Sequence, residues 1–291
     1  MQFSKTELGQ LLNQPKPLSF VNADLSGAEL VGADLIDARM SGANLRDANL
    51  GDADLIDADL SNADLSHARL GGADLRRANL GKASLNKADL GRANLIGADL
   101  VDADLIDARL IGARLSEANL HGADLRSADL SKADLTKTRL TGVNLTKADL
   151  SGAKLTHADL SGADLHGANL IGTFLGSANL SDAKLNDVDL RWGNLSKANL
   201  SRADLSHAKL VSADLSEVDL TEARLNKADL TESNMSNANL TKADLSEAKL
   251  IGVDLSSANL RWAKLTEAVY ARNTKFPNGF DPKAAGAILV P

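Results

Sequence analysis

VNADL SGAEL VGADL IDARM SGANL RDANL occupies residues 21–50, and the same five-residue phrase runs on without a break to RWAKL at 261–265. That makes 49 consecutive in-frame blocks. Position five is Leu in every block except those ending at Met40 and Met235. Position three is Ala in 41 blocks, the exceptions being Thr138, Val143, Thr173, Val188, Gly193, Val218, Ser233 and Val253. Position four is mostly Asp or Asn, and position two is Gly in 13 blocks. Phe20 and Tyr270 extend the position-five column by one block at each end.

A period of five suits neither regular element. On an α-helix, five residues advance about 500°, so successive leucines step round the axis by roughly 140° and build no single apolar face. On a straight strand they fall on opposite faces, because the side-chain period is two. Both conflicts vanish if the chain turns a corner once per block. Every Leu then points to one central axis, with the Ala two residues earlier pointing the same way. Four corners close a square, so four blocks make one coil. The run from 21 to 270 then makes about 12 coils, stacked by strand-like hydrogen bonds ~4.8 Å apart into a rod roughly 60 Å long. Asp and Asn at position four suit turn backbones, and Gly at position two suits a corner with φ > 0.

The A(D/N)LXX pattern resembles the pentapeptide-repeat family, and the resemblance covers residues 21–270. It implies an all-β solenoid, a right-handed quadrilateral β-helix; the handedness comes from the resemblance and not from the spacing. The tail ARNTKFPNGFDPKAAGAILVP is similar to the endings of cyanobacterial members.

Three domains follow: an N-terminal cap at 1–20, the β-helix at 21–270 and a C-terminal cap at 271–291. Ser4-Lys5-Thr6-Glu7 is a capping-box pattern that predicts a short helix, with Leu8, Leu11 and Leu12 on its apolar face and Pro15 and Pro17 stopping it. Such a helix would lid the first coil. Phe276 and Phe280 are expected to plug the last one, with Pro277-Asn278-Gly279 as a turn.

Composition narrows the chemistry. Apolar residues make up 44% of the chain but aromatics only 3%, so Leu and Ala must fill a narrow, repetitive interior. Cysteine is absent, which removes disulfides, thiolate ligands and a Cys nucleophile. No apolar run approaches the ~18 residues that span a membrane, and MQFSKTELGQLLNQPKP lacks the layout of a secretory signal. A cytoplasmic protein with no membrane partner is expected. His67, His121, His157, His166 and His207 have no metal-ligand spacing. The abundant Asp residues occupy the repeat's own position four, where they serve turns. The expectation is therefore no enzyme, no metal and no cofactor, but a monomeric rod that binds another protein.

The resemblance supplies an alternative, since quinolone-resistance members mimic DNA and bind a type II topoisomerase. B-DNA carries one charge per ~1.7 Å, so a ~60 Å segment carries roughly 35, against −7 for this whole chain. Only residues 21–65 approach that density, with ten acids against Arg39 and Arg46. Asp52, Asp54, Asp57 and Asp59 are the candidate acidic patch. No direct nucleic-acid binding is expected of so acidic a chain.

The candidate partner-binding patch lies where the repeat is most irregular. Folding the sequence in twenties places IGTFL (171–175), RWGNL (191–195), TESNM (231–235) and IGVDL (251–255) on one face. Phe174 takes a slot usually held by Asp or Asn, and Trp192 stands on the next coil. Arg191 flanks them, and Gly193 is expected to remove the Ala methyl beside Trp192. Aromatics and Arg dominate interface hot spots. Trp262, on another face, is expected to cover the last coils.

Overall fold

Five backbone N–H groups per block must each find an acceptor, and the computed structural model, which describes residues 4–291, shows where they go. Take residues 62–66. Asn62 N donates to Gly81 O (2.9 Å), Ala63 N to Leu60 O (3.1 Å), Asp64 N to Ala43 O (2.9 Å) and Leu65 N to Ser84 O (2.7 Å). The fifth donor, Ser66 N, finds the Asp64 side chain, at 2.9 Å from Oδ1. Three bonds thus run to the coils before and after, one closes the corner, and a position-four carboxylate caps it. That last bond is why position four is Asp or Asn: a short side chain with an acceptor oxygen can reach the amide two residues on.

The chain divides into two compact units, Met1–Asn144 and Leu145–Pro291. Both repeat this scheme. In the first, parallel single-residue bridges advance four blocks at a time, from Ser19↔Arg39 to Asp124↔Asn144. In the second they do likewise from Asp149↔Asn169 to Lys249↔Val269. Four blocks therefore make each coil.

The interior is what the pattern dictates. Position-five leucines and position-three alanines are buried almost throughout, most of them completely. Fully burying a Leu is worth about 1.5–3 kcal/mol, and a single coil could not supply that shelter alone. Thr138 and Thr173 replace Ala and keep their hydroxyls satisfied by Leu115 O (2.9 Å) and Leu170 O (2.8 Å). The Ser233 hydroxyl is buried with no partner.

The corners hold a result that the glycines only hinted at. Every position-two residue from Asn22 to Glu267 has φ between 54° and 72°, whether or not it is Gly. Position one is never positive, so the corners follow the type II pattern. For a side chain with a Cβ the left-handed region costs roughly 1–2 kcal/mol, yet Lys, Arg, Glu, His and Trp all sit there. Core burial and the inter-coil ladder outweigh that strain.

At the N-terminus, α1 (Lys5–Leu12) begins with the predicted capping box. Ser4 N donates to Glu7 Oε2 (2.8 Å), and Glu7 N to Ser4 Oγ (3.2 Å). Leu8, Leu18 and Phe20 are buried, while Leu11 and Leu12 are only partly so. Residues 1–3 of the expected cap lie outside the described residues. At the other end the coil continues irregularly into the tail. Lys275 bridges Asp254, one position past the regular four-block step, and β1 (Val269–Tyr270) pairs in parallel with β2 (Ile288–Leu289). Phe276 meets Tyr270 edge-on at 5.3 Å and stacks on Phe280 at 5.5 Å.

Because carboxylates cap the corners, acid should loosen them. The hydrogen bonds from Ser26 hold the Asp24 carboxyl down at about 2, and those from Lys275 and Ser256 hold Asp254 at about 2. Each ordinarily sits near 3.8. A carboxyl that is more acidic when folded stabilises the fold above its unfolded value, and that contribution is lost as pH falls through the folded one. The urea midpoint, followed by circular dichroism, is therefore expected to stay level from neutrality to about pH 4 and to fall between about 4 and 2. A midpoint that holds to about pH 2 would contradict the corner-capping role.

Candidate functional site

A repeat this regular makes its exceptions visible. Phe174 keeps the backbone role of position four, with N donating to Ala153 O (3.0 Å) and a bridge to Asn194. Its ring cannot cap the corner, and it projects outward, 50% exposed. Trp192 occupies a left-handed corner at φ 58° and is 60% exposed. Both stand on the same face of the second unit, one coil apart. The pair presents two exposed apolar knobs on that face.

Arg191 is engaged from the side. Its Nε and Nη2 donate to Asp189 Oδ1 (2.8 Å) and Oδ2 (2.7 Å), with the guanidinium carbon 5.4 Å from the Trp192 ring centre. Those bonds raise the guanidinium's pKa further, keeping Arg191 a fixed cation. Gly193 belongs elsewhere. It is buried, and a Cβ built on it would lie 3.1 Å from Leu190 O and 3.5 Å from the Leu195 side chain. Position three faces inward, so the methyl that Gly193 lacks would point into the core.

Trp262 also departs from expectation. It is 62% exposed, and Arg261 stacks over it with the guanidinium carbon 3.8 Å from the ring centre. The readable signal lay just ahead of it in the repeat. RW follows Asp189 in one block and Asn259 in the other, and only the carboxylate draws its Arg away from the indole.

The acidic patch is largely occupied by the fold's own bonds. Asp57 is paired with Arg77 of the next coil (Oδ1 to Nε 2.8 Å, Oδ2 to Nη2 2.5 Å), which holds its carboxyl below the ordinary value. Asp54 Oδ1 accepts from Ile56 N (3.3 Å), and Asp59 Oδ1 from Ser61 N (3.1 Å) and Asn79 Nδ2 (3.1 Å). Asp52 occupies a left-handed corner at φ 54°. Similar cross-coil pairs recur four blocks apart, as in Arg202–Asp182 (2.6 Å) and Lys242–Glu222 (2.8 Å).

Among the described residues, no cluster of His, Asp and Glu is arranged to hold a metal. No helix there is long and apolar enough to cross a membrane.

The family model for pentapeptide repeats matches in eight copies that together span residues 19–269. The chain belongs to the pentapeptide-repeat family. Members wind as right-handed quadrilateral β-helices, and the ladder of four-block coils agrees with that architecture. They are generally structural or interaction proteins. Among solved structures the chain is similar to HetL, a pentapeptide repeat protein involved in heterocyst differentiation regulation from the cyanobacterium Nostoc sp. strain PCC 7120. The identity is 37% over 75% of this chain and 89% of HetL, with a TM-score of 0.50. It is also similar to QnrB1, a plasmid-mediated fluoroquinolone resistance protein, at 19% identity over 64% of this chain and 91% of QnrB1, TM-score 0.49. A pentapeptide repeat protein from the Arabidopsis thaliana thylakoid lumen matches at 28% identity over 34% of this chain and 72% of its own, TM-score 0.28. No curated protein matches the sequence.

Proposed function

We propose that this pentapeptide-repeat protein is a non-enzymatic scaffold in a regulatory role, acting as a monomer that binds another protein in the cytoplasm. The observation that carries the reading is the pair Phe174 and Trp192, 50% and 60% exposed on one face of the second unit. The chain has eight aromatic residues in all, so placing two exposed ones on one face, at slots where the repeat uses small or polar residues, favours contact with a partner. Arg191, fixed by Asp189, supplies a cation beside them. The likeness to HetL, which is involved in heterocyst differentiation regulation, supports the same class of function.

Purified protein and a Phe174→Asn/Trp192→Ser variant are to be compared as baits. The expected result is a partner that wild type retains and the folded variant loses, with affinity reduced by about 2 kcal/mol or more. Equal retention by both would remove this patch from consideration.

The competing reading, a DNA mimic that binds a type II topoisomerase, rests on Asp52, Asp54, Asp57 and Asp59. The Arg77 pairing of Asp57 and the corner-capping of Asp54 and Asp59 weigh against it. Inhibition of gyrase supercoiling that disappears when those four are neutralised would promote it.

A further inference from the structure

Asn278 is followed by Gly, and no other Asn in the chain is. Phe280 N donates to Pro277 O (3.1 Å), closing a turn whose central residues are Asn278 and Gly279. Gly279 is left-handed at φ 81°, and nothing lies within 4 Å of where its Cβ would be. In such a turn the closing bond uses the Phe280 amide and leaves the Gly279 amide directed outward. Asn278 itself is exposed. The nitrogen of residue 279 and the side-chain carbonyl of residue 278 are therefore both accessible, with no side chain between them.

The repeat's own asparagines are guarded. At Asn199 the following amide, Leu200 N, is tied to Asp219 O at 2.7 Å, and Asn199 Oδ1 accepts from Ser201 N at 3.0 Å. A Leu side chain also crowds the nucleophilic nitrogen. The same arrangement recurs at Asn179, where Leu180 N donates to Asn199 O at 2.7 Å and Asn179 Oδ1 accepts from Ser181 N.

We propose that Asn278 is a self-modification site, converted without an enzyme to aspartate and isoaspartate. The Gly279 nitrogen gives up its proton to solvent hydroxide and attacks Cγ of Asn278. The tetrahedral adduct expels the side-chain nitrogen as ammonia, leaving a five-membered succinimide. Water then adds to one of the two imide carbonyls and opens the ring. Water is consumed and ammonia released, with no change of oxidation state. The product adds one negative charge to a hollow lined by Asn259, Arg261, Pro277, Asn278 and Phe280. Arg261 is the cation there, stacked on Trp262.

The test uses the full chain, incubated in warm, mildly alkaline buffer beside a synthetic peptide of residues 274–282. Both are followed by peptide mapping with mass spectrometry and by ammonia release. The expected result is conversion at Asn278 at a rate within about tenfold of the peptide's, with Asn179 and Asn199 unchanged. An Asn278→Gln variant should release no ammonia on that timescale. The proposal fails if Asn278 stays intact while the peptide reacts. It fails equally if Asn179 or Asn199 reacts as fast as Asn278.

Discussion

Leu75→Asp is expected to abolish cooperative folding of the coils around it. Leu75 has no exposed surface, and the leucines stacked before and after it in the same column, Leu55 and Leu95, have none either. The substitution forfeits about 1.5–3 kcal/mol of burial and strands a carboxylate in a column that offers it no donor, at a further cost of several kcal/mol. A loss above ~5 kcal/mol rivals the stability of an ordinary domain. Because each coil is sheltered by its neighbours, the damage should spread along the stack. Thermal melting by circular dichroism and limited proteolysis are the readouts. Asp74→Asn, one residue away but facing out, keeps the oxygen that Arg76 N uses (3.2 Å) and should shift stability by less than about 1 kcal/mol. A Leu75→Asp protein that melts like its parent would refute the inward-leucine interior.

Ala203→Phe is expected to cost about 3 kcal/mol or more by overpacking. Ala203 is fully buried, and its backbone is held on both sides. Its N–H donates to Leu200 O (3.1 Å), and its carbonyl accepts from Arg224 N (2.9 Å). The main chain cannot back away from a larger side chain without surrendering the ladder. Two added methyl groups are tolerable, since Val143, Val188, Val218 and Val253 fill the same position naturally and are buried. Ala203→Val should accordingly cost less than about 1.5 kcal/mol. Urea denaturation of the parent and the two variants decides the matter. Equal midpoints for the parent and the Ala203→Phe variant would mean that the interior has slack the hydrogen-bond ladder does not suggest.

How much of this was legible beforehand follows from which level of the repeat carries each feature. Leu at position five and Ala at position three answer to one constraint, the interior, and a period of five declares it. The four-block coil and the Ser4–Glu7 cap were readable for the same reason: each is a local pattern with one physical solution. The corners were only half readable. Gly at position two suggested φ > 0, but nothing in Lys87 or Glu222 announces a left-handed backbone, because there the ladder overrides local preference. The site was least legible. Phe174 and Trp192 stand out by type and register, but whether their rings meet depends on rotamers. Gly193 adjoins the exposed Trp192 in sequence, but position three alone decides that it faces in. Arg261 and Trp262 show that one neighbour, Asn259 in place of an Asp, can decide whether an Arg pairs with a carboxylate or stacks on a ring.

The inter-coil ladder also governs which changes of length the chain can absorb. Within either unit, three of the five amides in each block find their partner about one coil away. Removing four consecutive blocks deletes a whole storey, and what lies beyond it keeps its compass bearing. Removing a single block preserves every other corner and buried leucine, but swings the remainder of that unit through a quarter turn. Knobs such as Phe174 and Trp192 would then face a different side from the residues that precede them. Insertions and deletions in such a chain are thus of two kinds, those that only change reach and those that redirect a face while leaving the core intact.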